Sequence, residues 1–217
     1  MVNVFIGWDH REQDAYRVAV ASLKEHAGPN TVIRMLSREQ LREYGYYNRQ
    51  DKKASSEFTI TRFLVPFLCD FQGFSIFMDC DVLAQENIEK IMDEIDPENI
   101  VSCVQHDYVP KTKTKMDGQK QYVYPRKNWS SVMVFNNELC KELTPELINE
   151  AEPSYLHRMK WAGDKIGKLN HTWNYLAGYY NDIDKPNIIH YTDGGPWFKD
   201  YENCEFAKEW QQAWQKI

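Results

Sequence analysis

The residues best suited to chemistry are two aspartates, Asp79 and Asp81, which follow an apolar run at residues 74–78. Alternate side chains of an extended backbone share a face, so both carboxylates can bind one hard divalent cation, directly or through water. The apolar run predicts a buried strand, and α/β sheets bind ligands at the carboxyl ends of their strands. The pair therefore indicates a metal site, although a solvated turn after a strand can have the same spacing.

A second apolar run, at residues 188–190, ends in His190 and is followed by a glycine-rich turn. Imidazole suits Mn²⁺ better than Mg²⁺ or Ca²⁺, so His190 can complete an Asp/Asp/His site. A lone histidine is more often a hydrogen-bonded structural residue, and that alternative stays open. The backbone amides of Gly194 and Gly195 are candidates to receive phosphate oxygens.

Two more parts of the sequence, a turn and a helical stretch, contain candidates for binding a ligand. Gly7 and Asp9 lie in the turn after the first apolar run, where Asp9 either accepts hydrogen bonds from a base or ribose or stabilises a helix N-terminus. Arg62 lies among apolar residues with helical spacing at 58–68, so its guanidinium needs an anionic partner. That partner is an aspartate of the metal site or a ligand diphosphate.

A third acid, Asp164, lies in a Gly163-Asp164-Lys165 step that interrupts a helical region. It is either a capping residue or a catalytic carboxylate, and its spacing alone favours the cap. The segment from Tyr108 to Asn128 is rich in lysine and arginine on an otherwise acidic chain. It predicts a long loop that is either simply solvated or functional, as long loops in compact domains often are.

The elements that must position these residues begin with a β-α-β unit. Residues 2–6 and 31–35 predict strands, and the helix between them ends at Gly28. This order predicts an α/β fold with a mainly parallel sheet flanked by helices, and the first strand-to-helix turn then lies at its ligand-binding edge. The apolar stripe of the first helix consists of Ala15, Val18, Ala19, Ser22 and Leu23.

Other elements follow from local patterns. Residues 38–56 are polar and rich in tyrosine and predict a surface loop, and Ser55 predicts the start of the next helix. Further strands are expected at 100–104 and 128–136, and further helices at 88–95, after Thr144, at 155–161 and at 207–214.

The composition limits the class of protein. A chain of 217 residues with 42% hydrophobic residues can bury one sizeable core, so we expect one domain over residues 1–217. A net charge of -6 argues against general nucleic-acid binding. Five widely spaced cysteines without a CxxC motif indicate reduced thiols and fit the cytosol. No leader or apolar run of roughly 18 residues is visible, so we expect any membrane contact to be peripheral.

In this order the motifs resemble those of GT-A-fold, metal-dependent glycosyltransferases, especially the glycogenin and bacterial lipopolysaccharide galactosyltransferase group (family 8). The resemblance covers most of the chain and lies in the order of the motifs as much as in any one of them. The matching residues are Asp9, Arg62, Asp79-Cys80-Asp81, Trp129 to Met133, Gly163-Asp164-Lys165, Leu169 to Asn174 and His190 to Trp197.

The resemblance implies a single Rossmann-like GT-A domain and a retaining transfer of sugar from a nucleotide-sugar donor, expected to be a UDP-sugar, to a carbohydrate acceptor. It implies Mn²⁺ (or Mg²⁺) as the cation. Asp164 would lie near the anomeric carbon, with Lys165, where the family has glutamine, holding it ionised. The family lysine that meets the diphosphate is missing before Pro196-Trp197, and Lys199 and the basic segment are the candidates to replace it.

Two other classes remain open at this point. Haloacid-dehalogenase-type phosphatases also have an apolar strand that runs into Asp-x-Asp, but there the strand is usually the first of the domain. A non-catalytic domain that binds sugar nucleotides or glycans is the other class, because several motifs are altered and 14% of the residues are aromatic. The sequence leaves the donor sugar and the oligomeric state open.

Overall fold

The computed structural model describes residues 1–50, 54–107 and 125–217. Most of the predicted basic loop, with Lys111, Lys113, Lys115 and Lys120, lies outside the described residues. The strands are β1 Val2–Gly7, β2 Thr31–Leu36, β3 Phe74–Met78, β4 Val82–Ala84, β5 Val101–Cys103, β6 Val132–Asn136, β7 Ile166–Lys168, β8 Tyr175–Leu176 and β9 Ile188–His190. The α-helices are α1 Gln13–His26, α2 Arg38–Glu43, α3 Val65–Leu68, α4 Pro145–Glu150, α5 Pro153–His157 and α6 Ala207–Trp214.

The predicted α/β class is confirmed by a six-stranded sheet in the order β2-β1-β3-β6-β5-β7. Within this sheet, β6 pairs antiparallel with both of its neighbours, and all other pairings are parallel. The carboxyl ends of β1, β2, β3, β5 and β7 therefore meet at one edge of the sheet, next to the start of β6. We call this the carboxyl edge, and we call the opposite edge, where these five strands begin, the amino edge.

A second, three-stranded sheet has the order β4-β9-β8. The link Asp79 to Asp81 connects β3 of the large sheet directly to β4 of the small one. Helix α1 packs between the sheets, because Val18 contacts the apolar cluster of β4, β9 and α6, whereas Ala19 and Leu23 belong to the main core. All residues of the stripe predicted for α1 are buried.

The structure corrects two local predictions. The surface loop expected over residues 38–56 contains helix α2 and the buried Tyr47, which is 2% exposed. The helix expected to begin at Ser55 begins later, since residues 55–60 form turns and a short 3-10 helix, Thr61–Leu64, precedes α3. Pro66 has no N–H to donate to the Arg62 carbonyl, so a continuous helix would lack that bond.

We expect Ser22→Ala to lower the free energy of unfolding by about 1–3 kcal/mol, because it leaves a buried backbone group without its partner. The Ser22 hydroxyl lies in the interface between α1 and β4, where its oxygen accepts from the Ala84 N–H at 3.1 Å. Urea unfolding measures the change, and Ser154→Ala on the exposed face of α5 is the control. Equal stabilities of the two variants would contradict this role for Ser22.

Candidate active site

The predicted Asp/Asp/His cluster is assembled at the carboxyl edge. Asp79 and Asp81 lie in the link between the sheets, and the antiparallel pairing of β4 with β9 sets Val82 opposite His190. One potential ligand atom from each of the three side chains lies within 4.8 Å of the other two. The shortest approach to the histidine is 3.4 Å, between His190 Nε2 and Asp81 Oδ2. These two carboxylates and one imidazole are a donor set that suits Mn²⁺.

Arg62 is the buried ion-pair partner of Asp79. Its Nη1 lies 2.8 Å from Asp79 Oδ1 and donates to the Ser130 carbonyl at 2.7 Å. The guanidinium carbon lies 4.8 Å from the centre of the Phe77 ring. Of the two partners that the sequence left open for Arg62, the structure places the aspartate beside it, so Arg62 orients Asp79.

A carboxyl group that sequence analysis did not single out lies behind the cluster. Burial, and then the charges of Asp81, Asp9 and Asp79, raise the pKa of Glu12 to about 9. The thiol of Cys80 lies 3.8 Å from Glu12 Oε2 and donates to it. Concentrated negative charge of this kind favours a bound cation at the carboxyl edge.

Asp9 is 0% exposed, and its carboxylate accepts from the Arg11 side chain at 3.0 and 2.7 Å and from the backbone N–H of Glu57 at 3.1 Å. Burial raises the pKa of Asp9, but these bonds outweigh it, and the pKa lies below its ordinary value. Asp9 also caps the short 3-10 helix that follows it. Of the two roles considered for Asp9, the structure shows the one at a helix N-terminus. Arg11 and Arg38 balance the nearby group of Asp9, His10 and Glu57.

The three candidate glycines lie where the backbone turns or where a ring packs closely against it. A Cβ on Gly7 would lie 2.3 Å from the ring of Phe58, so glycine allows that ring to pack on the end of β1. The Gly194 amide, expected to face phosphate, donates to the Tyr191 carbonyl at 2.9 Å. Gly194 has φ 135°, which favours glycine, and Gly195 lies against an indole ring of the same turn. The amide of Gly194 is therefore engaged within the turn.

Asp164 and Lys165 lie at the amino edge, away from the cluster. Both are exposed and precede β7, whose residues pair in parallel with β5 from Val101 onwards. The Ile100 N–H, just before β5, donates to the Lys165 carbonyl at 2.9 Å. This placement argues against the predicted catalytic role of the pair, because a strand separates it from the edge that holds the aspartates.

Two other polar residues at the carboxyl edge were given no role by the sequence analysis, although Asn174 ends one of the matched motifs. His106 follows β5 and forms a 2.7 Å hydrogen bond through Nδ1 with the Tyr180 hydroxyl. Asn174 lies 2.9 Å from His190 Nδ1 through its Oδ1. Both are buried, and the partners of each are remote in sequence.

Solved structures with the same fold are glycosyltransferases. The bifunctional glycosyltransferase WbbM superposes with a TM-score of 0.66 at 15% identity, over 98% of this chain and 49% of WbbM. GlyE of Streptococcus pneumoniae TIGR4 gives 0.65 at 16% identity, over 99% and 61%. The galactosyltransferase LgtC, solved with donor and acceptor sugar analogues, gives 0.63 at 12% identity, over 99% and 96%. The chain thus spans about half of WbbM and under two thirds of GlyE, and these likenesses confirm the GT-A-like fold.

A sequence relative decides the family. Protein CDI of Arabidopsis thaliana is 41% identical over 216 residues, which cover 95% of this chain and 83% of that protein. The chain belongs to the Protein CDI family. No protein-family model matches the sequence.

The GT-A-like fold of this Protein CDI family member removes the dehalogenase-type phosphatase alternative. The Asp-x-Asp strand is the third along the chain and lies between β1 and β6 in the sheet. The late strand of the site, β9, ends in His190. Among the described residues, no helix is long and apolar enough to cross a membrane.

Buried His106 gives a prediction about acid stability. Burial, with smaller contributions from His190 and His171, lowers the pKa of His106 to about 3, against an ordinary value of 6.5. The unfolded chain therefore takes up this proton first, and stability falls as the pH drops from about 6.5 towards 3, by at most about 1.4 kcal/mol per pH unit. We expect His106→Gln to show a shallower decline between these values in urea unfolding at several pH values. Parallel curves for variant and wild type would contradict a neutral His106.

Proposed function

We propose that this protein is a metal-dependent glycosyltransferase that moves a sugar from a nucleotide-sugar donor to a hydroxyl group of a carbohydrate acceptor. The observation that carries the proposal is the cluster of Asp79, Asp81 and His190 at the carboxyl edge of a GT-A-like sheet. Its support from the comparisons is the fold alone, which the glycosyltransferases WbbM, GlyE and LgtC share.

In this proposal Asp79, Asp81 and His190 hold Mn²⁺ (or Mg²⁺). When bound, the cation supplies a Lewis acid that offsets the charge developing on the leaving nucleoside diphosphate. Arg62 holds Asp79 in place through their ion pair. The positive charge of Arg62 therefore acts on the cluster rather than on the diphosphate. The neutral Glu12 limits the negative charge that the donor must approach.

The diphosphate needs further cations from this chain. Arg126 and Lys127 are the described basic residues of the predicted basic loop, and they precede the turn at Asn128, which is hydrogen-bonded to Ser131 and Asn174 beside the cluster. We assign the diphosphate contact to them, in place of the lysine that the glycosyltransferase family has before Pro196. A UDP-sugar is the expected donor, as the family resemblance implies.

Retention of configuration, also implied by the resemblance, is possible without a carboxylate nucleophile. In same-face departure, the leaving diphosphate and the incoming hydroxyl share one face of the sugar, and fixed charges stabilise the oxocarbenium-like centre. The position of Asp164 at the amino edge favours this route over a covalent intermediate on that residue.

We expect Asp81→Asn to weaken Mn²⁺-dependent binding of a UDP-sugar at least about 100-fold, because changes to outer-shell residues alone cost 10–100-fold. Thermal shift and calorimetry with UDP-, GDP- and dTDP-sugars, each with Mn²⁺ and with EDTA, measure the effect. Asp93→Asn, at an exposed position of the 3-10 helix Ile88–Glu94, is the matched control and should bind as wild type.

Donor binding that is the same with EDTA, or unchanged in Asp81→Asn, would overturn the metal site. Tight Mn²⁺-dependent binding without hydrolysis or transfer to any glycan would instead identify a non-catalytic sugar-nucleotide-binding domain. Donor binding and donor turnover are both measured on the same samples.

Asp164→Asn should keep transfer and donor hydrolysis within about twofold of wild type, a change in barrier of under about 0.5 kcal/mol. The physical reason is its exposed position at the amino edge. Initial rates measure the effect, and NMR of the first-formed product gives the anomeric configuration. A tenfold loss of rate in this variant would restore Asp164 to the reaction, and an inverted product would contradict same-face departure.

A further inference from the structure

The imidazole of His190 is attached to a chain of hydrogen bonds whose direction can be read from one end. The chain begins at the backbone carbonyl of Asn128, which can only accept. The Ser131 hydroxyl lies 2.7 Å from that carbonyl and therefore donates to it. With its proton used there, the Ser131 oxygen is an acceptor for the next group, Asn174, at 2.8 Å.

The Asn174 side chain must then present its NH₂ group to Ser131, because an amide oxygen has no proton to donate. The same NH₂ group reaches the Asn128 carbonyl at 3.3 Å, which fits this orientation. The amide oxygen of Asn174 consequently faces His190 Nδ1 at 2.9 Å. Since an amide oxygen only accepts, Nδ1 carries the proton.

A neutral imidazole with its proton on Nδ1 has a lone pair on Nε2. In the neutral ring, this atom and Asp81 Oδ2 are both hydrogen-bond acceptors, and they lie 3.4 Å apart in a site where His190 is 2% exposed. Two acceptors at this separation repel unless a positive charge lies between them. The arrangement matches that of a metal-ligating histidine whose second nitrogen is held by an outer partner.

We infer that Asn174 is a positioning residue, which holds His190 as the Nδ1–H tautomer and directs the Nε2 lone pair at the space beside Asp81. The inference about the tautomer stands on the hydrogen-bond chain, whereas its consequence for a cation rests on the proposed function. Asn174 is 0% exposed and lies in the 3-10 helix His171–Asn174, so its side chain is fixed by packing as well as by its bonds.

The backbone of Asn128 supports the start of the chain. Asn128 has φ 61°, a left-handed conformation that asparagine tolerates better than most residues. Its side-chain amide donates to Thr192 Oγ1 at 2.7 Å, which ties this turn to the segment after β9. The carbonyl that sets the direction of the chain is thus held from two sides.

Three variants separate positioning from simple loss of packing. Asn174→Leu keeps a side chain branched at Cγ but offers no acceptor to His190. Asn174→Asp keeps an acceptor oxygen and is the conservative rescue. Asn137→Leu is the matched control, because Asn137 is also 0% exposed and makes two side-chain hydrogen bonds, but at the amino edge with Gln72 and Ser75.

The first measurement is the tautomer of His190 in metal-free protein, from long-range ¹H–¹⁵N spectra at about pH 8.5, where an ordinary imidazole is neutral. His190→Gln identifies its signals among those of the 6 histidines. We expect protonated Nδ1 and unprotonated Nε2 in wild type, Asn174→Asp and Asn137→Leu, and loss of this preference in Asn174→Leu. A proton on Nε2 of the wild-type ring, or an unchanged tautomer in Asn174→Leu, would overturn the inference.

The second measurement is Mn²⁺ affinity without donor, from the electron paramagnetic resonance signal of free Mn²⁺. We expect Asn174→Leu to bind Mn²⁺ about 10–100-fold more weakly than wild type, and Asn174→Asp to be at least as tight as wild type. Asn137→Leu should stay within about twofold, because it is remote from the cluster. Equal weakening by both leucine variants would overturn the positioning role. Wild type that binds no Mn²⁺ would contradict the proposed function, and the spectra would still decide the tautomer.

Discussion

The antiparallel pairing of β4 with β9 is the constraint on which the site depends. It sets Val82 opposite His190, and because Asp81 directly precedes Val82, the imidazole is brought beside that carboxylate. A shift of the pairing by one residue would turn His190 to the other face of the small sheet, and the cluster would then lose its imidazole. The register is held by buried apolar contacts, since Leu83 and Ile189 lie opposite each other in the same cluster as α1 and α6.

The electrostatics of the carboxyl edge follow from this geometry. Asp79 is compensated by Arg62, and Glu12 avoids a further charge by staying protonated. The carboxylate of Asp81 instead faces His190 Nε2 at 3.4 Å. Negative charge brought together inside a fold costs stability, and in the proposed function a bound cation compensates that cost.

The two edges of the large sheet have different roles. The carboxyl edge receives the links after β1, β3 and β5 and the segment that opens β6, and these supply the polar side chains of the cluster. The amino edge is bound together by structural groups such as Asn137, which bonds to Ser75 and Gln72. Asp164 lies at the amino edge because it is part of the short turn that connects the 3-10 helix after α5 to the start of β7.

The sequence by itself determined the α/β class, the buried stripe of α1, the limits of α6 and the three members of the cluster, since periodicity and strand ends are local properties of the chain. Only the tertiary structure decided which residues serve that cluster. Arg62 pairs with Asp79 because folding brings Arg62 Nη1 within 2.8 Å of Asp79 Oδ1. The inferred positioning role of Asn174 depends on hydrogen-bond partners 43 and 16 residues away in the sequence. Asp164 was misplaced for the same reason: a motif fixes the order of residues along the chain, whereas strand direction and pairing fix the edge at which each one lies.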